Sequence, residues 1–232
     1  MIDIHSHVLF GIDDGAKNME ESLAMLRESK KQGVNTVFAT PHFYAYEVSF
    51  DSYTSKVQSV YETLKCEAAS EEYSDIKLGY EVRYFPGIGR SDIKKLCLDR
   101  SGFLLLELDF KAIGRSVLTE ISELKWSAGI TPIIAHAERY YKFKGYDDLL
   151  RCFVQKEALC QISAGSLIDG SRYKKTAFKL IKNGMADFIA SDMHNMSTRP
   201  PLIKQGLMSV ARHFGQDAAE GFKNSYLKLY NR

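Results

Sequence analysis

Short apolar runs alternate with amphipathic segments along the whole chain, and this rhythm restricts the folds open to it. The runs cover residues 1–4, 34–40, 76–80, 103–108, 130–135, 158–162 and 186–190. They have the length of strands, and several are rich in Ile, Val and Phe. Between them the spacing predicts helices over 19–32, 53–73, 116–128, 146–156, 173–183, 201–214 and 218–229. The first is the best marked. Asn18 can cap it, Glu21 sits where a capping box wants an acid, and Gly33 suits its end. Leu23, Leu26 and Lys30 would form its core-facing stripe with a solvated edge. Repeated strand-then-helix order implies a parallel sheet. No Pro/Gly/Ser-rich linker divides the chain, and Gly87-Ile-Gly89 reads as a turn. The expectation is one α/β domain over 1–232, a closed or nearly closed barrel, with a doubly wound open sheet as the alternative. The dinucleotide fingerprint that often marks such open sheets is absent.

Composition removes several function classes. With 232 residues and 45% hydrophobic content, the chain can bury a core without staples. The net charge is +2, from 31 basic and 29 acidic residues, which gives no support for nucleic-acid binding. The four cysteines, Cys66, Cys97, Cys152 and Cys160, show no C-x-x-C spacing and read as reduced, mostly buried thiols. No apolar stretch approaches the ~20 residues of a membrane span. The opening segment is too short and carries two histidines, so it does not read as a signal peptide. A cytoplasmic protein is expected.

Active sites of parallel α/β barrels lie at the C-terminal ends of the strands. Here those ends carry His5-Ser6-His7, Thr40-Pro41-His42, Glu81, Glu107 with Asp109, His136-Ala137-Glu138-Arg139 and Ser191-Asp192-Met193-His194. Five of the six histidines fall on one expected rim, and only His213 lies elsewhere. His5 and His7, two apart on an extended chain, point to the same side and can reach one metal; Asp192 and His194 repeat the geometry. Either pair alone could be an ordinary hydrogen-bonding pair. An ionised Glu107 in the run Phe103-Leu104-Leu105-Leu106 is costly without a partner. A metal ion would compensate it, and so would a buried lysine or arginine. Glu81 stands near Arg83, so a simple ion pair is its alternative. Asp13-Asp14-Gly15 is ordinary turn chemistry, but its place just beyond His7 makes Asp14 a candidate ligand. Asp109 is set aside as a loop residue. Arg139 and Arg199 follow candidate ligands, and arginine grips phosphate oxygens with a planar fork. A nitrogen-and-oxygen donor set suits Mn, Fe or Zn. Adjacent ions of this kind acidify water and offset phosphoryl charge.

These motifs together, with Tyr140 and Asn195 extending the last two, resemble the polymerase-and-histidinol-phosphatase superfamily. The opening 1–15 and Arg199-Pro200-Pro201 are similar to the bacterial manganese-dependent protein-tyrosine phosphatases of capsule and exopolysaccharide operons. The resemblance runs from Met1 to about Phe222. It implies a distorted (β/α)7 barrel with up to three manganese ions, with Fe or Zn as alternatives. It implies His5, His7, Glu107 and Asp192 around one ion, Glu81, Glu107 and His136 around a second, and Asp14, His42 and His194 around a third. Arg139 and Arg199 would hold the phosphate. The implied substrate is phosphotyrosine on a partner protein, a bacterial tyrosine kinase; a homo-oligomer is compatible with all of this. One departure is Phe43-Tyr44-Ala45-Tyr46, where some members carry basic residues, so this loop would meet a substrate by aromatic packing.

Cysteine-based tyrosine phosphatases need an arginine six positions after the cysteine. Here those positions hold Glu72, Phe103, Ala158 and Ser166, so phosphatase chemistry would have to be metal-based. The competing readings are a small-molecule phosphatase such as one for histidinol phosphate, a nuclease, and a metal-holding phosphopeptide-binding module without turnover.

Overall fold

Each apolar run becomes a strand, and every strand pair is parallel. A computed structural model describes residues 1–230 of the chain; the last two residues of the expected 1–232 domain lie outside the described residues. The strands are β1 (Ile2–Ser6), β2 (Thr36–Ala39), β3 (His42–Phe43), β4 (Asp75–Leu78), β5 (Glu81–Arg83), β6 (Phe103–Glu107), β7 (Thr131–Ile134), β8 (Leu159–Ser163) and β9 (Phe188–Ala190). The helices are α1 (Met19–Lys31), α2 (Phe50–Glu67), α3 (Arg115–Trp126), α4 (Tyr146–Val154), α5 (Lys174–Lys182), α6 (Ile203–Phe214) and α7 (Gln216–Lys223). The expected helix over 218–229 ends early, and Ser225–Leu229 tightens into a 3-10 turn. Among the described residues no helix is long and apolar enough to cross a membrane.

The start of α1 follows its capping signals with one change. Asn18 Oδ1 accepts from the Glu21 amide at 2.9 Å, but the Glu21 carboxylate reaches back to the Lys17 amide at 3.0 Å. The buried stripe is Ser22, Met25, Leu26 and Ser29, about one position round from the expected Leu23–Leu26–Lys30 line. The rotation seats the Ser22 hydroxyl on the Val8 carbonyl at 2.6 Å.

Strand order explains the curvature. One sheet runs β1-β2-β4 and the other β3-β5-β6-β7-β8-β9. The second and third expected strands, 34–40 and 76–80, are each followed directly by a further short strand that was not expected, β3 and β5, and these join the other sheet. Pro41 lacks an N–H to continue the ladder after β2. At Gly79, a Cβ would lie 2.6 Å from Leu98 Cδ2 and 3.1 Å from its Cα, so the chain passes close to Leu98 there. The two breaks put His42 opposite Glu81, and Arg83 opposite Glu107.

Residues of one alternation, Ile4, Phe38, Leu105, Ile133 and Ala190, gather in a small inner core. The other alternation, Val37, Leu104, Leu106, Ile134 and Ile189, packs in the larger core with the helices. A flat sheet would not bring β1, β2, β6, β7 and β9 to one interior cluster, so the sheet is curled. Burial of each such Val, Leu, Ile or Phe side chain stabilises the fold by ~1.5–3 kcal/mol. The curl brings the end of β1 to the stretch after β9, where Ser6 and Met193 form a parallel bridge.

Candidate metal centre

The seam between β1 and β9 places two of the expected motifs side by side. The His7 amide donates to the Met193 carbonyl and the Asp192 amide to the His5 carbonyl, both at 2.9 Å. Buried Asp3 ties the seam from below, accepting from the Ser191 amide at 3.0 Å and the His5 amide at 3.3 Å. Burial pushes the Asp3 carboxyl up to about 6 despite these bonds. Asp192 (φ 54°) and His136 (φ 34°) both adopt left-handed backbone, which costs ~1–3 kcal/mol per residue and clusters at functional sites.

Glu81 lies at the centre. Its Oε2 is 3.2 Å from His5 Nε2, 3.2 Å from His7 Nε2 and 3.1 Å from His42 Nδ1. Its Oε1 is 3.0 Å from His136 Nε2. Glu107 Oε1 is 3.4 Å from the same His136 nitrogen. Asp192 Oδ1 lies 3.5 Å from His5 Nε2 and 3.8 Å from both His7 Nε2 and His194 Nδ1. Asp14, on the exposed side, puts Oδ1 3.5 Å from His42 Nε2 and 3.4 Å from His194 Nε2. All nine candidate ligands therefore meet in one continuous cluster. Its tightest groups are His5, His7 and Glu81; His7, Asp14, His42 and His194; and His42, Glu81 and Glu107. These cut across the three sets implied by the resemblance, with His7, His42 and Glu81 each shared between two groups.

Three imidazoles are oriented so that Nε2 faces inward. His7 Nδ1 meets Asp13 Oδ2 at 2.7 Å, His5 Nδ1 meets Gln161 Oε1 at 3.1 Å, and His194 Nδ1 meets the Asp192 carbonyl at 3.0 Å. A hydrogen bond from the outer nitrogen to an oxygen is what turns a histidine into a ligand. Burial and the neighbouring His7 push His194 down to about 2, which favours the neutral ring, and its buried Nε2 makes no hydrogen bond although Asp14 Oδ1 lies 3.4 Å away. Burial opposes charge on His7, but Asp13 and then Glu81 outweigh it and raise its pKa well above the ordinary value. Asp192 is buried too, yet His5, Arg139 and Arg199 hold it far below the usual carboxylate range. Buried nitrogens without hydrogen-bond partners, lone pairs aimed inward and close carboxylates are the surroundings that cations complete. An all-nitrogen-and-oxygen donor set fits transition ions such as Mn, Fe or Zn.

Arg139 and Arg199 both bond Asp192, Arg199 at 2.8 Å, and Arg139 also donates to Ser163 Oγ at 3.2 Å. Both line a cavity of about 660 Å³ whose apolar wall includes Phe110 and Phe143. Phe110 is 42% exposed and stacks on His136, with centroids 5.7 Å apart. Glu107 does find an arginine, Arg83 at 2.7 Å, while its other oxygen faces His136. Arg83 turns to Glu107 and Asp109, leaving Glu81 to the histidines. His213 stands apart on α6, bonded to the Ser209 carbonyl.

Several residues of the site escaped the sequence reading. Asp13 looked like turn chemistry. Gln161 is a polar residue in an apolar run, the same signal that singled out Glu107. Glu138 lies inside a noted motif and is buried, holding the Ser163 amide at 3.3 Å and the Ser166 hydroxyl at 2.5 Å. Ser163 closes the strand from which no candidate was drawn.

Comparison with known proteins adds an independent line. The family model for capsular polysaccharide synthesis proteins of the CpsB/CapC type matches residues 1–225. The chain is 32% identical over 231 residues to the tyrosine-protein phosphatase CpsB of Streptococcus pneumoniae, covering 95% of this chain and 93% of that protein. It is 30% identical over 222 residues to the tyrosine-protein phosphatase YwqE of Bacillus subtilis (strain 168), covering 94% and 86%. Among solved structures it is similar to one from the work on YwqE of B. subtilis and CpsB of S. pneumoniae, called unique metal-dependent tyrosine phosphatases. That match has a TM-score of 0.87 and 29% identity, covering 100% of this chain and 95% of that one.

Proposed function

Because the chain belongs to the CpsB/CapC family of capsular polysaccharide synthesis proteins, we propose that it is a metal-dependent protein-tyrosine phosphatase, acting as one domain with a distorted (β/α)7 barrel. The observation that carries this is Glu81, a buried carboxylate within 3.2 Å of four imidazoles, beside a cavity lined by two arginines. The ligands are His5, His7, Asp14, His42, Glu81, Glu107, His136, Asp192 and His194, holding up to three ions. Manganese is the ion the family resemblance favours, and Fe or Zn suit the same donors. When bound, the ions supply Lewis acidity, acidifying water and offsetting phosphoryl charge.

The chain's own groups do the rest. Arg139 and Arg199 bind the phosphoryl oxygens through planar N–H pairs and hold them at the mouth of the cluster. Their bonds to Asp192 fix both side chains beforehand, so little ordering is needed when substrate arrives. Phe110, stacked on His136, offers a flat face to an aryl ring, which favours phosphotyrosine over a small aliphatic phosphate. The aromatic loop at Tyr44 and Tyr46 lines a second groove near Arg83 and suits the flanks of a peptide. The natural substrate we propose is a bacterial tyrosine kinase that governs capsule or exopolysaccharide synthesis, met in the cytoplasm.

Turnover of a phosphotyrosyl peptide in Mn tests this. The expected result is phosphate release that disappears on metal removal, returns with Mn, and is lost in His5→Ala and Asp192→Ala. Full activity after exhaustive chelation would overturn the reading, and faster turnover of histidinol phosphate would move it to small-molecule substrates.

A further inference from the structure

The cavity beside the cluster carries more positive charge than one phosphoryl group uses. Four cations line it, Arg139, Lys142, Arg172 and Arg199, against a single carboxylate, Asp192. The chain as a whole is nearly balanced, at +2, so this is a local concentration. Arg139 and Arg199 are bonded to Asp192. Lys142 and Arg172 have no carboxylate partner among the described residues.

The second pair is held in place by aromatic rings. Lys142 Nζ lies over the Tyr141 ring, 5.4 Å from its centroid. The Arg172 guanidinium lies over Tyr173, 4.8 Å from its centroid, and donates to the Tyr173 hydroxyl at 2.7 Å. The Tyr141 and Tyr173 rings meet edge to face at 6.4 Å. The loop after β7 and the loop after β8 thus join as one platform carrying two exposed cations. Cation–π contact contributes only ~0.5–1 kcal/mol at exposed sites and leaves the charge unneutralised. Two like charges lining one cavity without a carboxylate partner are stabilised by an anion bound there.

We infer that Lys142 and Arg172 form a second anion subsite, which reads a further negative group on the same peptide as the phosphotyrosine. That group is either an acidic side chain or a second phosphoryl group. The inference rests on the phosphotyrosyl-peptide reading above, and adds which peptides are preferred. A phosphoryl group at Arg139 and Arg199 leaves the second pair free, and it lines the same cavity. A neighbouring peptide residue advances ~3.3–3.6 Å along an extended chain, so one a few positions away reaches across a cavity of this size.

The test uses the full chain loaded with Mn and three phosphotyrosyl peptides, with a neutral flank, a Glu-containing flank, or a second phosphotyrosine. p-Nitrophenyl phosphate serves as the flankless control. Kd is read by fluorescence anisotropy and kcat and KM by phosphate release. The two charged peptides should bind roughly three- to tenfold more tightly than the neutral one, a preference that shrinks at high salt. A gain confined to the Glu peptide, or to the doubly phosphorylated one, identifies the anion. Lys142→Ala and Arg172→Ala should each remove most of this preference through KM, leaving p-nitrophenyl phosphate turnover and metal content unchanged. Lys142→Glu should reverse it. Equal Kd values for all three peptides, or equal losses on charged peptide and control, overturn the subsite. Discrimination in binding without any turnover would support the subsite while overturning the phosphatase reading; turnover without discrimination would do the opposite.

Discussion

Asp13→Ala removes a residue that touches no substrate, and its expected effect follows from three bonds. Asp13 Oδ2 holds His7 Nδ1 at 2.7 Å and the His42 amide at 3.0 Å; its Oδ1 holds the Gly15 amide at 3.0 Å. It therefore aims one candidate ligand, anchors the backbone of a second, and shapes the loop that carries a third, Asp14. Loss of such an outer partner typically weakens metal affinity by ~10–100-fold, or about 1.4–2.8 kcal/mol. With three bonds lost together, the upper end is expected for Asp13→Ala. Asp13→Asn keeps an acceptor but loses the charge that raises the basicity of His7, and should sit near the lower end. Metal content by mass spectrometry and Mn titration give the affinity, and phosphate release at saturating Mn gives the activity that survives. The orienting role predicts that excess Mn restores much of the lost activity. An Asp13→Ala protein that binds Mn as tightly as the parent would refute the reasoning.

Mn binding should release protons at neutral pH. Burial and Arg139 oppose charge on His136, but Glu107 and Glu81 push its pKa up to about 9 in the metal-free protein, so below that pH the metal displaces a proton and its affinity falls as pH falls; calorimetry in buffers of different ionisation enthalpy should show net release, and none would contradict this. Arg139→Ala should lower kcat by about 100-fold or more, the usual scale for one donor to developing negative charge, with metal content largely kept; parallel metal loss would make Arg139 a support for Asp192 alone. Gly15→Ala would place a Cβ 2.1 Å from the His7 carbonyl oxygen, so a loss of ~1–3 kcal/mol in stability and weaker Mn binding are expected, read by thermal melting and titration; an unchanged melt would mean the loop shifts freely.

Much of this site is legible in the chain because its signals are local. A strand alternates its side chains, so His5 and His7 share a side; Asp192 and His194 reach the same centre from beyond the end of β9, with Asp192 in left-handed backbone. Strand-then-helix repetition requires a parallel sheet, and a parallel sheet gathers strand ends on one edge. Those two facts sort five histidines from His213; Glu107 is added by its charge in an apolar run and Asp14 by its place just beyond His7, and the structure brings these residues together with Glu81 and Asp192. The capping of α1 by Asn18 is equally local, set by residues three apart.

What the tertiary structure decided is partnership between residues far apart in sequence. Glu81 could have paired with Arg83; instead Arg83 opposes Glu107 in register, and Glu81 turns to the histidines. That choice follows from the breaks at Pro41 and Gly79, after which the short strands β3 and β5 join the other sheet. The proline was visible, but the sheet it would join was not. Gln161 reaches His5 across 156 positions, and no periodicity reports such a meeting. Nothing local in the sequence sets Lys142 and Arg172 apart; they come to one cavity only because the loops after β7 and β8 meet. Local patterning determined which residues could serve a metal centre on this chain. Only the curl of the sheet, a product of long-range packing, decided which lone pairs face one another and which charges lack a partner.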